Sequence, residues 1–440
     1  MGLSRVRDLA TVVRSILHHL DTKYLRKRCN GPRQSLIVLL TAIQSGMNRI
    51  GIRPTKIELG KRLSTALGWA DGKMPSTSSI SRAIRKLKSS EIMAVIEVGL
   101  TSLVDAYGKD LLIHGHWILA IDGVRVNAQR TSPLARWLHL PRQGKGKRAH
   151  QPQALVVVAR CVVTGVVVAQ EIVRHSGSER ACAKRLANRL GRLGKILVLL
   201  DRGFPSRDLL GFLDEKGIAY VVRMCGGEGT WRELQGHMTG SARDEQIEVR
   251  LRNAKGKPLD QVLRFLLSRP IKRGRPACDR TPHRLALFTN LTGRYWSFDR
   301  IIALYHRRWD IETGFREDKR LLGATKSHAT TRNGFTNEIL ALWVYRILMA
   351  LIAAQVACED GLPRWDDPRA LRLSTPQLIL AAWWIVEEAL VRSLRGRLVL
   401  DDILRELRRD AARRRPGRHA TRITKGVEGV WKSKVERGRR

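Results

Sequence analysis

Five short apolar runs rich in β-branched residues, lying in order between about residues 115 and 224, constrain the fold more than any other feature of the chain. HWILAID ends at Asp122, QALVVVARCV and TGVVVAQEIV follow with a Thr-Gly pair between them suited to a tight turn, KILVLLD ends at Asp201, and IAYVVRM closes the series. Helical patterns at about Ser178 to Leu193 and Ser206 to Glu215 separate the last three runs. Three strands in succession, then helix, strand, helix, strand, predict a mixed sheet covered by helices, and so an α/β fold.

The flanks have a different texture. Residues 1–112 read as helical, with one helix-turn-helix candidate: Thr55 to Leu67, the connector GWADGKMPS, and Thr77 to Leu87. In the second helix Arg82 and Arg85 stand three apart and can face a DNA groove together. The connector is longer than usual for this motif, and a solvated basic helix is the other reading. Residues 225–297 are irregular, with strand-like pieces in QIEVRLR and LALFTNL around the basic loop SRPIKRGRPACDR, and read as an insertion. A long helix is expected from near Phe298 past Lys319, and apolar helices at Asn337 to Cys358 and Gln377 to Leu394. The expected division is a helical N-terminal region that is the candidate for DNA binding (1–112), a mixed-sheet core with the insertion (113–335), a helical C-terminal region (336–400) and a basic tail (401–440).

Charge narrows the partner. Lys and Arg number 81 against 40 Asp and Glu, a formal net charge of +41, so the surface must attract a polyanion, with nucleic acid the leading class. The apolar stretch from Ile339 to Ala357 is long enough to span a bilayer, but Arg346 near its middle favours a buried helix of a soluble fold. No signal peptide is read, because Arg7, Asp8 and Arg14 interrupt the N-terminal apolar residues. Six scattered cysteines form no C-x-x-C pair and fit a reducing cytoplasm. His114, His116, His150 and His175 have no metal-binding spacing, and the Gly- and Lys-rich loop from Pro141 to His150 is a candidate phosphate contact or a solvated loop.

In a chain this short of acids, their positions are informative. Asp122 and Asp201 each end an apolar strand, where ligands of open α/β sheets bind. Two carboxylates brought together there need a cation, and hard oxygen ligands favour Mg²⁺ or Mn²⁺. Capping of the turn after each strand is the alternative. In SFDRIIALYHRRWDIETGFREDKRLLG, Tyr305, Arg308, Glu312 and Lys319 fall within roughly 60° of one another on an ideal helix, and Arg316 shares their face. A carboxylate among cations suits a helix lying over a metal-bound phosphate; a solvated face with an Arg308–Glu312 pair is the other reading.

This spacing resembles the Tyr-Arg-Glu-Lys signature of bacterial insertion-sequence transposases of the DDE class, and IDG at Asp122 and DRGF at Asp201 resemble that family's two aspartate motifs. The resemblance covers roughly residues 115–350. Val124 departs from it, since many relatives carry a hydroxyl residue there. It implies an RNase H-like core with a β-rich insertion and a catalytic triad of Asp122, Asp201 and Glu312. These residues would hold two Mg²⁺ ions (Mn²⁺ substituting) about 3.5–4 Å apart for in-line phosphodiester displacement. It further implies a catalytic role for the 113–335 core, hydrolysis at the element ends, strand transfer of the freed 3′-OH, a hairpin intermediate in some relatives, and a homodimer pairing two ends, for which the apolar C-terminal helices with Trp383 and Trp384 either supply the interface or only complete the core. Trp231 and Trp296 are candidates for stacking a flipped base, or ordinary packing residues. A nuclease without strand transfer and an inactive DNA-binding relic are the rival readings.

Overall fold

A computed structural model of the chain describes residues 6–18, 32–44, 76–141, 149–224, 231–269 (except 235, 238–240 and 254), 284–322, 327–359, 373–391, 394–413, 423–425 and 431–433. The first helix of the helix-turn-helix candidate, most of the 141–150 loop, most of the insertion's basic loop and most of the tail lie outside the described residues.

The five apolar runs form β1 (Trp117–Asn127), β2 (Gln153–Cys161), β3 (Val167–Arg174), β4 (Ile196–Leu200) and β5 (Ala219–Arg223). Gly165, at φ +72°, makes the turn between β2 and β3 in a conformation that only glycine adopts readily. The insertion adds β6 (Arg243–Arg252), β7 (Pro258–Leu267) and β8 (Ala286–Thr289). All eight belong to one mixed sheet, in the order β3-β2-β1-β4-β5-β8-β7-β6. β1, β4 and β5 run parallel, and every other neighbouring pair is antiparallel. The insertion therefore continues the core sheet, through a strand at β7 that its local sequence did not announce.

The helices before the sheet are α1 (Val6–His18), α2 (Pro32–Gln44), α3 (Thr77–Lys86) and α4 (Ser89–Leu111). Within it lie α5 (Ser132–Leu138), α6 (Glu179–Leu190) and α7 (Arg207–Glu215). Ser178 and Ser206 cap the last two by accepting hydrogen bonds from the backbone N–H of Ala181 and Leu209. Gly211 of α7 lets the backbone of Arg252 in β6 cross against the helix, where a Cβ would collide with it. The bidentate pair of Arg207 with Glu233, 2.8 Å at both contacts, fastens the insertion at the same point.

After the sheet come α8 (Phe298–His306), α9 (Trp309–Arg320), α10 (Arg332–Glu359), α11 (Thr375–Val391) and α12 (Leu394–Arg413). The bilayer-length stretch is α10, and 89% of its most apolar window is buried inside the protein, as expected of a core helix that is apolar on all sides. It packs against α4, and Asn333 and Asn337 each donate to the Leu87 carbonyl at 2.6 Å, pinning the α3–α4 corner. α1 packs on α11, where Arg14 donates to the Ala389 carbonyl at 2.8 Å. The helices on either side of the sheet in sequence thus share one core.

The long helix expected from Phe298 past Lys319 is two helices. Around Arg307 and Arg308 the backbone bonds shorten to i→i−3: Arg307 N–H to Leu304, Arg308 to Tyr305, Asp310 to Arg307 and Ile311 to Arg308, at 2.9–3.1 Å. This is a 3₁₀-type turn, in which side chains three apart eclipse.

Candidate active site

β1 and β4 pair in parallel up to Ile121 opposite Leu200, so the next residues, Asp122 and Asp201, come side by side. Asp122 does not end its strand as the sequence reading had it. β1 continues to Asn127 because β2 pairs with it throughout, and Asp122 sits where its other neighbour, β4, stops. Phe204, buried in the core, and a bond from its N–H to the Asp201 carbonyl hold the DRGF turn, while Arg180 of α6 braces the turn through the Gly203 carbonyl at 2.9 Å.

The 3₁₀-type turn brings the third acid. It stacks Arg308 over Tyr305, with the guanidinium carbon 5.9 Å from the ring centre, and turns both inward to 6% and 4% exposure. The Tyr305 hydroxyl donates to the Leu200 carbonyl at 3.3 Å, one residue before Asp201, and burial pushes its pKa well up. Arg308 donates to Glu312 at 2.7 Å and stands 4.0 Å from both Asp122 and Asp201. Three carboxylates from β1, the β4 turn and α9 thus surround one guanidinium. The i, i+4 ion pair foreseen between Arg308 and Glu312 exists, but as part of this centre and not on a solvated face.

Burial pushes the Asp122 carboxyl up to about 6; the Gly123 N–H and Arg308 pull it down, and Glu179 and Asp201 push it further up. Glu179 is a residue the sequence reading missed. It opens α6, and its carboxylate lies where a Cβ on Gly123 would be, so it packs directly over the Asp-Gly pair. Only the capping Ser178 before Glu179 marked the position in sequence.

The donors suit a hard divalent cation: they are all carboxylate oxygens, and Asp201 Oδ1 is buried with no hydrogen-bond partner among the described residues. As they stand, no three His, Cys, Asp or Glu side chains among the described residues are grouped closely enough to hold an ion. The guanidinium occupies the space between them.

Arg316 and Lys319 are exposed on α9. They do not join Tyr305 and Arg308 in one buried face, because the turn at 307–308 breaks the ideal-helix phase on which that grouping relied. Arg82 and Arg85 are exposed on α3. Trp231 and Trp296 are buried packing residues: Trp231 lies edge-on to Phe288 and under Arg207, and Trp296 is edge-on to His114 and His116. Trp309, next to Arg308 in sequence, is 57% exposed.

A mixed α/β sheet with acids on two adjoining strands, a third on a helix packed over them, and helices on both flanks is an RNase H-like core. The family model of the transposase DDE domain matches residues 113–348, more than half of the chain, and the protein belongs to that family. Comparison with curated proteins gives no match.

Proposed function

We propose that this DDE-family protein is an insertion-sequence transposase that cuts its element out of DNA and joins it to a target. The observation that carries the reading is the convergence of Asp122, Asp201 and Glu312, from three separate elements, on the Arg308 guanidinium. Like charges so placed are tolerated only beside a cation, and the carboxylate set is one that Mg²⁺ or Mn²⁺ would take, with Arg308 withdrawing toward the DNA. Bound there, such ions would supply an activated water and stabilisation of the leaving oxygen.

The chain's own groups do the rest. Asp122, Asp201 and Glu312, gathered on Arg308, are the residues that would hold the ions. Tyr305 is held by the Leu200 carbonyl and fixes the turn on which Arg308 rides. Once released from the carboxylates, Arg308 can take a DNA phosphate by its planar fork, and the exposed Arg316, Lys319, Arg82 and Arg85 extend the backbone contact. In the first step water oxygen bonds to phosphorus and the 3′ oxygen leaves as a hydroxyl, with the 5′ end keeping the phosphate. In the second, that 3′-OH attacks a target phosphodiester and releases a target 3′-OH. Two ends must be joined together, so the working unit is a homodimer on paired ends. The reaction takes place on cytoplasmic DNA.

The test uses the DNA flanking the reading frame as element ends, with a supercoiled target plasmid and Mg²⁺. Joined end–plasmid products support transposition. Cut ends with no joined product would leave a nuclease, and bound but uncut ends a DNA-binding relic.

A further inference from the structure

Beneath the candidate site lies a second charged cluster that the proposed chemistry does not use. Arg160 of β2 and Asp318 of α9 are each 2% exposed and form an ion pair. Asp318 also accepts from Arg346 Nε of α10 at 2.6 Å. The rest of the Arg346 fork reaches Glu317 and the Gly314 carbonyl, both at 3.2 Å, and Glu317 accepts from the Thr375 hydroxyl of α11 at 2.8 Å. The register of β2 with β3 shifts between Ala159 and Arg160, an irregularity of the kind that re-aims a side chain. The Arg160 guanidinium lies 5.4 Å from the Phe315 ring centre and directly on Gly314, where a Cβ would collide with it.

Two guanidinium groups and two carboxylates balance in charge, so the cluster is neutral. Such buried clusters are seldom a net source of stability, since apolar residues of similar volume often replace them without loss. What these bonds supply is direction. They grip α9 at residues 314, 317 and 318, and Glu312 lies only six residues before Asp318, about 9 Å along the axis. A roll of α9 by about 10° would move a carboxylate about 6 Å from the axis by about 1 Å. A displacement of that size can cost about 100-fold in rate.

We infer that Arg160, Asp318 and Arg346 are positioning residues, which hold α9 at the rotation that presents Glu312 to Asp122 and Asp201 and make the C-terminal helices part of the catalytic frame. The inference rests on the transposase reading above. The experiment compares the full-length parent with a quadruple variant, Arg160→Met, Glu317→Gln, Asp318→Leu and Arg346→Met, which removes all four charges together, and with Arg346→Lys, which keeps the charge but loses the fork. Unfolding midpoint, affinity for element-end DNA and single-turnover cleavage are measured on each. The quadruple variant should keep its midpoint and affinity and cleave about 100-fold more slowly; Arg346→Lys should keep its fold and DNA affinity and cleave about tenfold more slowly. Should the quadruple variant fail to fold, Arg346→Lys carries the decision. Folded variants cleaving at the parental rate overturn the inference alone, whereas a parent that binds and never cleaves overturns the transposase reading and this inference with it.

Discussion

Replacing Asp122 by Asn should make the metal-free protein more stable while abolishing its chemistry. The side chain is 24% exposed and faces Asp201 and Glu179, with Arg308 as partial compensation. Its carboxyl is raised from 3.8 to about 6 in the fold. The folded state therefore binds the proton more tightly than the unfolded chain, and the group's contribution is favourable at low pH and is lost as pH rises from about 4 through about 6. At about 1.4 kcal/mol per tenfold change in proton affinity, ionised Asp122 costs about 3 kcal/mol at pH 8. At pH 4.5 the same linkage leaves about 1 kcal/mol. Asparagine has the same shape, can accept the 2.8 Å bond from the Gly123 N–H, and never ionises. Equilibrium urea unfolding without divalent ions should show Asp122→Asn more stable by up to about 3 kcal/mol at pH 8, with the gain shrinking toward pH 4.5. Mg²⁺ should then stabilise the parent and not the variant. A variant no more stable than the parent at pH 8, or equally favoured at both pH values, would refute the electrostatic reasoning.

Three further outcomes are expected. Arg308→Met leaves three carboxylates without their counter-charge and should cost about 3 kcal/mol in the metal-free protein at pH 8, near the low end for broken buried pairs because the acids retain 24–33% exposure; added Mg²⁺ should recover part of it, and an undiminished unfolding midpoint would remove Arg308 as the site's resident cation. Lys319→Ala, Arg316→Ala, Arg82→Ala and Arg85→Ala should each lower the slope of log affinity against log salt by about one unit on element-end DNA, and a residue whose loss leaves the slope untouched makes no phosphate contact. Gly211→Ala forces a Cβ against the Arg252 backbone and should lower stability by about 1–3 kcal/mol, read as a drop in thermal midpoint; no drop would mean that the insertion can shift off α7.

The sheet was legible because its five core strands are apolar runs bounded by turn residues and capped helices, all local signals. Asp122, Asp201, Arg308 and Glu312 stood out because charge at the end of an apolar run or in a fixed helical spacing is visible in one dimension. The break at Arg307 and Arg308 was not, since no Gly or Pro marks it; it coincides with Arg308 turning toward acids more than 100 residues away in sequence. β7 escaped for a similar reason, as its pairing with β6 and β8 is decided by neighbours rather than by its own alternation. Arg160 looked like an interruption of a β-branched run, and Arg346 served only to argue against a membrane span. Their common partner, Asp318, is 158 residues from the first, a relation that spacing cannot express.

The most direct measurement of the central claim is Mg²⁺-dependent, strand-specific cleavage of element-end DNA by the parent, Asp201→Asn and Glu312→Gln, with DNA affinity determined on the same samples. The account predicts that the parent cuts at the element boundary to leave a 3′-OH, and that both variants bind as the parent does and cut at least 100-fold more slowly, a loss of about 3 kcal/mol or more in transition-state stabilisation. Cleavage by either variant at the parental rate would contradict it.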